Sequence, residues 1–266
     1  MNYWTTVSIE LANQRNYLDL LYRVYPISPN LRRELSAETI ELIRYHYENR
    51  NNDDLLRLLL QQEIFPIKDS YVAYLKRDPS AIERNPNTIN RLQGMLIDMG
   101  VDEIVDKITA PKETNRQIGP MFKNWIKNGA LGCEVTDDEN RFLNSQDNIV
   151  FDASDSRMQN FAREHLGYTR EKGLDLIAKF NNTYVIGEVK FLTDFGGHQN
   201  AQFNDAISTM TTELRETDKN VKAISVLDGV LYIQGNSRMY NAISRDFSDD
   251  DVIISAVLLR DYLYSL

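Results

Sequence analysis

The side chains with the most chemistry to offer lie in one short stretch, GLDLIAKFNNTYVIGEVKFLTDFGG at residues 173–197, which holds Asp175, Glu188 and Lys190. Two apolar runs, Leu174–Ala178 and Thr183–Phe191, flank Asn181-Asn182. That pair suits a two-residue hairpin turn, because asparagine tolerates positive φ better than most residues. A turn that tight sets Phe180 against Thr183, Ile177 against Ile186 and Asp175 against Glu188. Directly opposed residues on an antiparallel pair point to the same side of the sheet, with Cβ atoms about 5 Å apart. Two carboxylates so placed repel, and burying either charge unpaired is costly. A divalent cation between them turns repulsion into attraction, and Mg²⁺ is commonly held by one or two carboxylates plus substrate phosphate oxygens. The carbonyl of Val189 is a candidate third ligand. Lys190, two residues beyond Glu188, falls on the same face by strand alternation. The plain alternative makes Asp175 and Glu188 edge charges, one of them neutralised by Lys190. The hairpin register, the apolar neighbours and the following Gly196-Gly197 weigh against it.

The elements that must position these residues follow from periodicity. Residues 1–65 read as helical, broken at Tyr25-Pro26-Ile27-Ser28-Pro29-Asn30, with Ser36 capping a second helix and Asn51-Asn52-Asp53 a third. Residues 66–128 read as further short helices presenting polar loops, the clearest starting at Asn85-Pro86 and ending at Gly100. Residues 134–155 carry seven acids against Arg141 and read as an acidic surface connection with room for one strand, Asn148–Phe151. Ser156–Leu166 is amphipathic and expected to pack on the sheet, with Glu164 flanking its apolar face. That glutamate either points toward the carboxylates or is a solvated helix charge. A helix is expected from about Gln199 to Arg215, and strands at Val221–Leu227, Val230–Gln234 and Val252–Leu258. Gln199 and Gln202 lie near the start of that helix, where their amides either orient substrate or attacking water, or cap the helix.

The composition fits an ordinary globular protein, with 42% hydrophobic and 26% charged residues in a chain of 266. No run approaches the roughly 18 apolar residues of a membrane span. The N-terminus MNYWTTVSIE lacks a basic-then-apolar signal pattern. Cys133 is the single cysteine, which excludes an internal disulfide and a cysteine-based zinc site. A cytoplasmic protein with no membrane partner is expected. The formal net charge of −9 counts mildly against nucleic-acid binding. Its distribution softens that, because residues 66–130 carry ten Lys and Arg against eight acids.

Asp175, twelve intervening residues, then Glu188-Val189-Lys190 resembles the PD-(D/E)xK nuclease superfamily and, within it, the type II restriction endonucleases. The usual proline before the first acid is Leu174 here. The stretch PKETNRQIGPMFKNWI, Pro111–Ile126, is also similar to restriction enzyme sequence. The resemblance implies an α/β fold with a restriction-endonuclease-like core, a mixed sheet flanked by helices, behind an N-terminal helical region. The expected division is a helical region at 1–133 that helps clasp DNA, the acidic connection at 134–155, and the nuclease core at 156–266. The implied activity is Mg²⁺-dependent, sequence-specific cleavage of double-stranded DNA. Asp175 and Glu188 would hold the metal, and Lys190 would stabilise the attacking hydroxide or the charge on the phosphate. A homodimer and a companion DNA methyltransferase protecting the same site are also implied. A structure-specific repair or recombination nuclease on the same core stays open, as does a non-catalytic DNA-binding module.

Outside the catalytic stretch, the densest cluster of hydrogen-bonding side chains is Lys112 to Gln117, between Pro111 and Gly119-Pro120. An exposed loop is expected there, either reading DNA or simply solvated. Arg116 suits a bidentate contact to guanine or to a phosphate, and Asn115 or Gln117 a contact to adenine, with Thr114 in the same cluster. Lys112 and Lys123 suit phosphate contacts, which position a protein without reading sequence.

Overall fold

A computed structural model describes residues 1–14, 16–26, 32–111 and 117–266. The chain divides into two compact units, Ser28–Glu113 and Met1–Ile27 with Thr114–Leu266. This differs from a boundary near residue 133: the first two helices belong with the sheet, because their buried residues share its core.

In chain order the helices begin with α1 (Tyr3–Ala12) and α2 (Tyr17–Val24). The helical unit then supplies α3 (Ala37–Glu48), α4 (Asn52–Gln61), α5 (Ser70–Arg77), α6 (Ala81–Arg84), α7 (Pro86–Met99) and α8 (Val101–Ile108). Local chemistry sets their ends. The Ser36 hydroxyl accepts from the Thr39 amide at the start of α3, Pro86 opens α7 where its missing N–H costs nothing, and Gly100 closes it at φ +85°. One apolar cluster holds this unit together, built on Ile43, Leu55, Leu56, Leu59, Leu92, Leu96 and Ile104, each at most 1% exposed.

The other unit carries the sheet. It continues with α9 (Ile118–Lys127), β1 (Glu134–Thr136), α10 (Glu139–Asn144), β2 (Ile149–Phe151) and α11 (Asp155–His165). The hairpin β3 (Leu176–Phe180) and β4 (Thr183–Leu192) follows, then α12 (Gly197–Met210), β5 (Asn220–Gly229), α13 (Arg238–Arg245), β6 (Val252–Ile254) and α14 (Leu259–Tyr264). The six strands pair in sequence order. β1 and β2 are parallel, β2–β3 and β3–β4 antiparallel, and β4–β5 and β5–β6 parallel. The architecture is α/β, a mixed sheet flanked by helices, consistent with a restriction-endonuclease-like core.

Helices on both faces explain why the central strands read as almost unbroken apolar runs. Alternation sends Leu176, Ala178, Phe180 and Val185 into one core with α1, α2 and α9, and Ile177, Tyr184 and Ile186 into another with α10 and α11. The stretch 134–155 is therefore more than a connection, since β1, α10 and β2 extend the sheet and its core. Two expected strands also come out differently. Val230–Tyr232 is a 3₁₀ turn, because the chain swings away at Gly229, whose φ of +100° brings a Cβ position within 2.1 Å of the Leu192 carbonyl oxygen. The last strand stops at Ile254 and gives way to a 3₁₀ turn and α14.

Candidate active site

Asn181 and Asn182 form the tight turn with φ of 47° and 63°, and the ladder runs from Phe180↔Thr183 to Leu176↔Gly187 in the expected register. It ends one residue short of pairing Asp175 with Glu188. The Asp175 amide donates to the Gly187 carbonyl at 3.0 Å, so Leu176 and Asp175 both lie against Gly187. Leaving the ladder frees the Asp175 carboxylate to accept the Val189 N–H at 2.9 Å. The two acids still converge, though not as a directly opposed pair. Gly187 itself sits tight against β5, where a Cβ would lie 3.0 Å from the Ile224 carbonyl oxygen.

Lys190 joins the two carboxylates. Its Nζ hydrogen-bonds Glu188 Oε1 and lies 3.6 Å from Asp175 Oδ2. Glu188 is only 3% exposed. Its Oε1 also accepts from Lys172 Nζ at 2.7 Å, whereas its Oε2 is buried without a hydrogen-bond partner among the described residues. Burial first, and then the neighbouring Asp175 charge, push the Glu188 carboxyl above its ordinary range, and the lysines only partly offset this. For Lys190 burial opposes the ammonium, but Asp175 and Glu188 outweigh it and hold the group above the usual lysine value.

A cleft of about 140 Å³ opens on this cluster, lined by Asp175, Val189, Lys190, Phe191, Gln202 and the start of α9 at Ile118-Gly119. A neighbouring groove of about 370 Å³ runs from Asp175 along α9 past Lys123, Asn124 and Lys127. A separate cavity of about 680 Å³, mostly apolar, is lined by Tyr17, Leu192 and Tyr232 and touches none of the three charged residues.

The other expected site residues divide. Gln202 lines the cleft and pairs with His198 at 3.0 Å. Gln199 is buried and accepts the Thr193 amide, so it braces the loop after β4. Glu164 is exposed on α11, and its side chain makes no hydrogen bond or ion pair among the described residues. Lys123 is tied to Asp155 at 3.3 Å, Asp152 at 3.5 Å and the Ala153 carbonyl, on the rim of the groove. Gln117 stands at the N-cap of α9. Lys112, Thr114, Asn115 and Arg116 lie outside the described residues.

Sequence reasoning missed Lys172 and Asp205. Lys172 Nζ bonds both Glu188 Oε1 and Asp205 Oδ2, and Arg170 holds Asp205 from the other side. Burial alone would raise the Asp205 carboxyl, but the Lys172 hydrogen bond and the surrounding cations hold it below its ordinary value. A signal did exist: Gln202, Asp205 and Thr209 recur at helical spacing on α12.

Among the described residues no group of three or more His, Cys, Asp or Glu is placed to hold a metal. A cation at this site would therefore rest on two carboxylates. The orphaned Glu188 Oε2 beside Asp175 fits that demand, since hard oxygen donors suit Mg²⁺ or Ca²⁺ and the rest of the shell can come from carbonyl, water or phosphate. Among the described residues no helix is long and apolar enough to cross a membrane. No curated protein and no solved structure matches the chain. A family model does match, described as the Tsp45I type II restriction enzyme, and it spans residues 2–266. The chain accordingly belongs to the Tsp45I type II restriction enzyme family, whose members are site-specific deoxyribonucleases acting on DNA phosphodiester bonds.

Proposed function

We propose that this restriction endonuclease uses PD-(D/E)xK chemistry, with Asp175 and Glu188 holding Mg²⁺ and Lys190 acting on the scissile phosphate. The observation that carries the reading is Glu188 Oε2, a buried carboxylate oxygen with no hydrogen-bond partner among the described residues, in a cluster that a second carboxylate and a lysine complete. An unsatisfied buried oxygen costs about 1–3 kcal/mol, and more when charged, so its persistence calls for a ligand. The cation, when bound, supplies Lewis acidity to the phosphate and to an attacking water. Water adds to phosphorus, one P–O ester bond breaks, and a phosphate monoester and a hydroxyl remain. Lys190, held within reach of both acids, steadies the charge that grows on the phosphate oxygens. The Val189 carbonyl serves as a third ligand, and Gln202, on the cleft wall, orients substrate or water.

DNA enters along the groove beside α9, where Lys127 and Lys123 contact phosphates and the preceding Lys112–Gln117 segment reads bases. The helical unit helps to clasp the duplex. A homodimer meets a near-palindromic site with two-fold symmetry, and a methyltransferase of the same specificity protects the host. Digestion of one sequenced plasmid tests the core of this reading. Discrete, reproducible fragments with Mg²⁺ and none with EDTA are expected. Cleavage that survives EDTA, or that is confined to branched DNA, would overturn it.

A further inference from the structure

Lys172 lies between α11 and β3, outside any regular element, yet its ammonium is fixed on two sides by Glu188 Oε1 at 2.7 Å and by Asp205 Oδ2. Asp205 is itself clamped. Arg170 donates to the Asp205 carbonyl at 3.2 Å, to Asp205 Oδ1 at 3.4 Å and to Thr209 Oγ1 at 2.8 Å. A chain of alternating charge thus runs Arg170, Asp205, Lys172, Glu188, Lys190, Asp175. A lysine on a free four-carbon stem gives up much rotamer freedom when ordered, so holding one still needs anchoring of this kind. The outcome at Glu188 is lopsided, with two lysines on Oε1 and, among the described residues, no donor on Oε2. A glutamate free to rotate would share its donors between both oxygens.

We infer that Lys172, anchored by Asp205, is a positioning residue for Glu188: it pins one carboxylate oxygen and so reserves the other for the divalent cation. This rests on the metal assignment proposed above. The competing role is a plain counter-charge, and the two roles predict opposite signs. A counter-charge repels the metal, so deleting it tightens binding. A positioning group orients the ligand, and loss of such a partner typically weakens metal affinity about 10–100-fold.

The test is titration of the full-length, DNA-free protein with Mn²⁺ alone, free metal being read by electron paramagnetic resonance and folding by thermal melting. Lys172→Met is expected to bind Mn²⁺ at least tenfold more weakly than wild type. The Lys172→Met/Asp205→Asn protein should be no weaker than Lys172→Met, because Asp205 acts through Lys172. Unchanged or tighter binding by Lys172→Met overturns the inference, and additive losses overturn the part given to Asp205. Should Lys172→Met fail to fold, Asp205→Asn decides: weaker binding is expected, and wild-type binding overturns the inference. Glu188→Gln separates the two levels. If it binds Mn²⁺ like wild type, the metal assignment falls; if it loses binding while Lys172→Met does not, only the inference falls.

Discussion

Two buried carboxylates stand on neighbouring parallel strands of the same sheet, Glu188 on β4 and Asp228 on β5, and they are solved in opposite ways. Asp228 is 0% exposed and each oxygen takes two donors. Oδ1 accepts from the Tyr17 and Ser255 hydroxyls, and Oδ2 from the Tyr25 hydroxyl at 2.9 Å and the Ala256 N–H at 3.2 Å. Glu188 is almost as deeply buried, but its donors crowd one oxygen and leave the other bare. Burial of an acid is therefore no mark of function in itself. The distribution of its partners separates the two: a closed shell fastens α2 and the segment after β6 to the sheet, and an open shell leaves Glu188 Oε2 available to the cation proposed above.

Predictions from this contrast begin with the largest effect. Glu188→Gln and Asp175→Asn should each slow DNA cleavage by about a thousandfold or more, roughly 4 kcal/mol in the barrier, while thermal melting stays within a few degrees of wild type. A variant that cuts plasmid DNA at near wild-type rate would remove the open-shell carboxylates from the chemistry. Asp228→Ala should do the reverse. It strands four buried donors at about 1 kcal/mol each, so a loss of about 4 kcal/mol in urea unfolding is expected.

The closed shell also predicts a pH dependence. Burial, only partly offset by the Ser255, Ala256, Tyr25 and Tyr17 hydrogen bonds, raises the Asp228 carboxyl from 3.8 to about 6. The native state then holds that proton more tightly than the unfolded chain. The contribution of Asp228 is fully present below about pH 4 and is lost as pH rises through about 6, by up to about 3 kcal/mol. Urea midpoints across that window should fall more steeply in wild type than in Asp228→Asn, and parallel slopes would show that the carboxyl does not titrate there. The smallest effect is Tyr25→Phe. It removes one donor to Asp228 but keeps the edge contact with Phe191 at 5.4 Å, and it should cost about 1–2 kcal/mol in the same unfolding assay.

What the sequence revealed follows the distance over which each feature is encoded. The hairpin was legible because its determinants are local: two asparagines that accept positive φ, and apolar runs that fix the register. The convergence of Asp175, Glu188 and Lys190 was legible with it, although the slip at Gly187 was not, since it goes with a side-chain bond to Val189. Lys172 and Asp205 meet across 33 positions, between a loop and a helix, and no local period joins them. The Asp228 shell draws on Tyr17 and Tyr25 from more than 200 residues away, so no local pattern marks it. For the same reason α1 and α2 read as part of a helical region although their apolar faces complete the core of the sheet. The short strand β1 was hidden by the acids around it, whereas β2 falls within the Asn148–Phe151 strand expected of that stretch.

The central claim is that the bare oxygen of Glu188 serves a ligand and not the fold. Urea unfolding of wild type and Glu188→Gln, with and without saturating Mn²⁺, tests it most directly. Without metal, the variant should be at least as stable as wild type, because a buried, partly unsatisfied charge has been removed. With metal at about a hundred times its dissociation constant, wild type should gain about 2.7 kcal/mol and the variant almost nothing. A metal-free variant that loses several kcal/mol, as Asp228→Ala is expected to, or one that gains as much from Mn²⁺ as wild type, would contradict the claim.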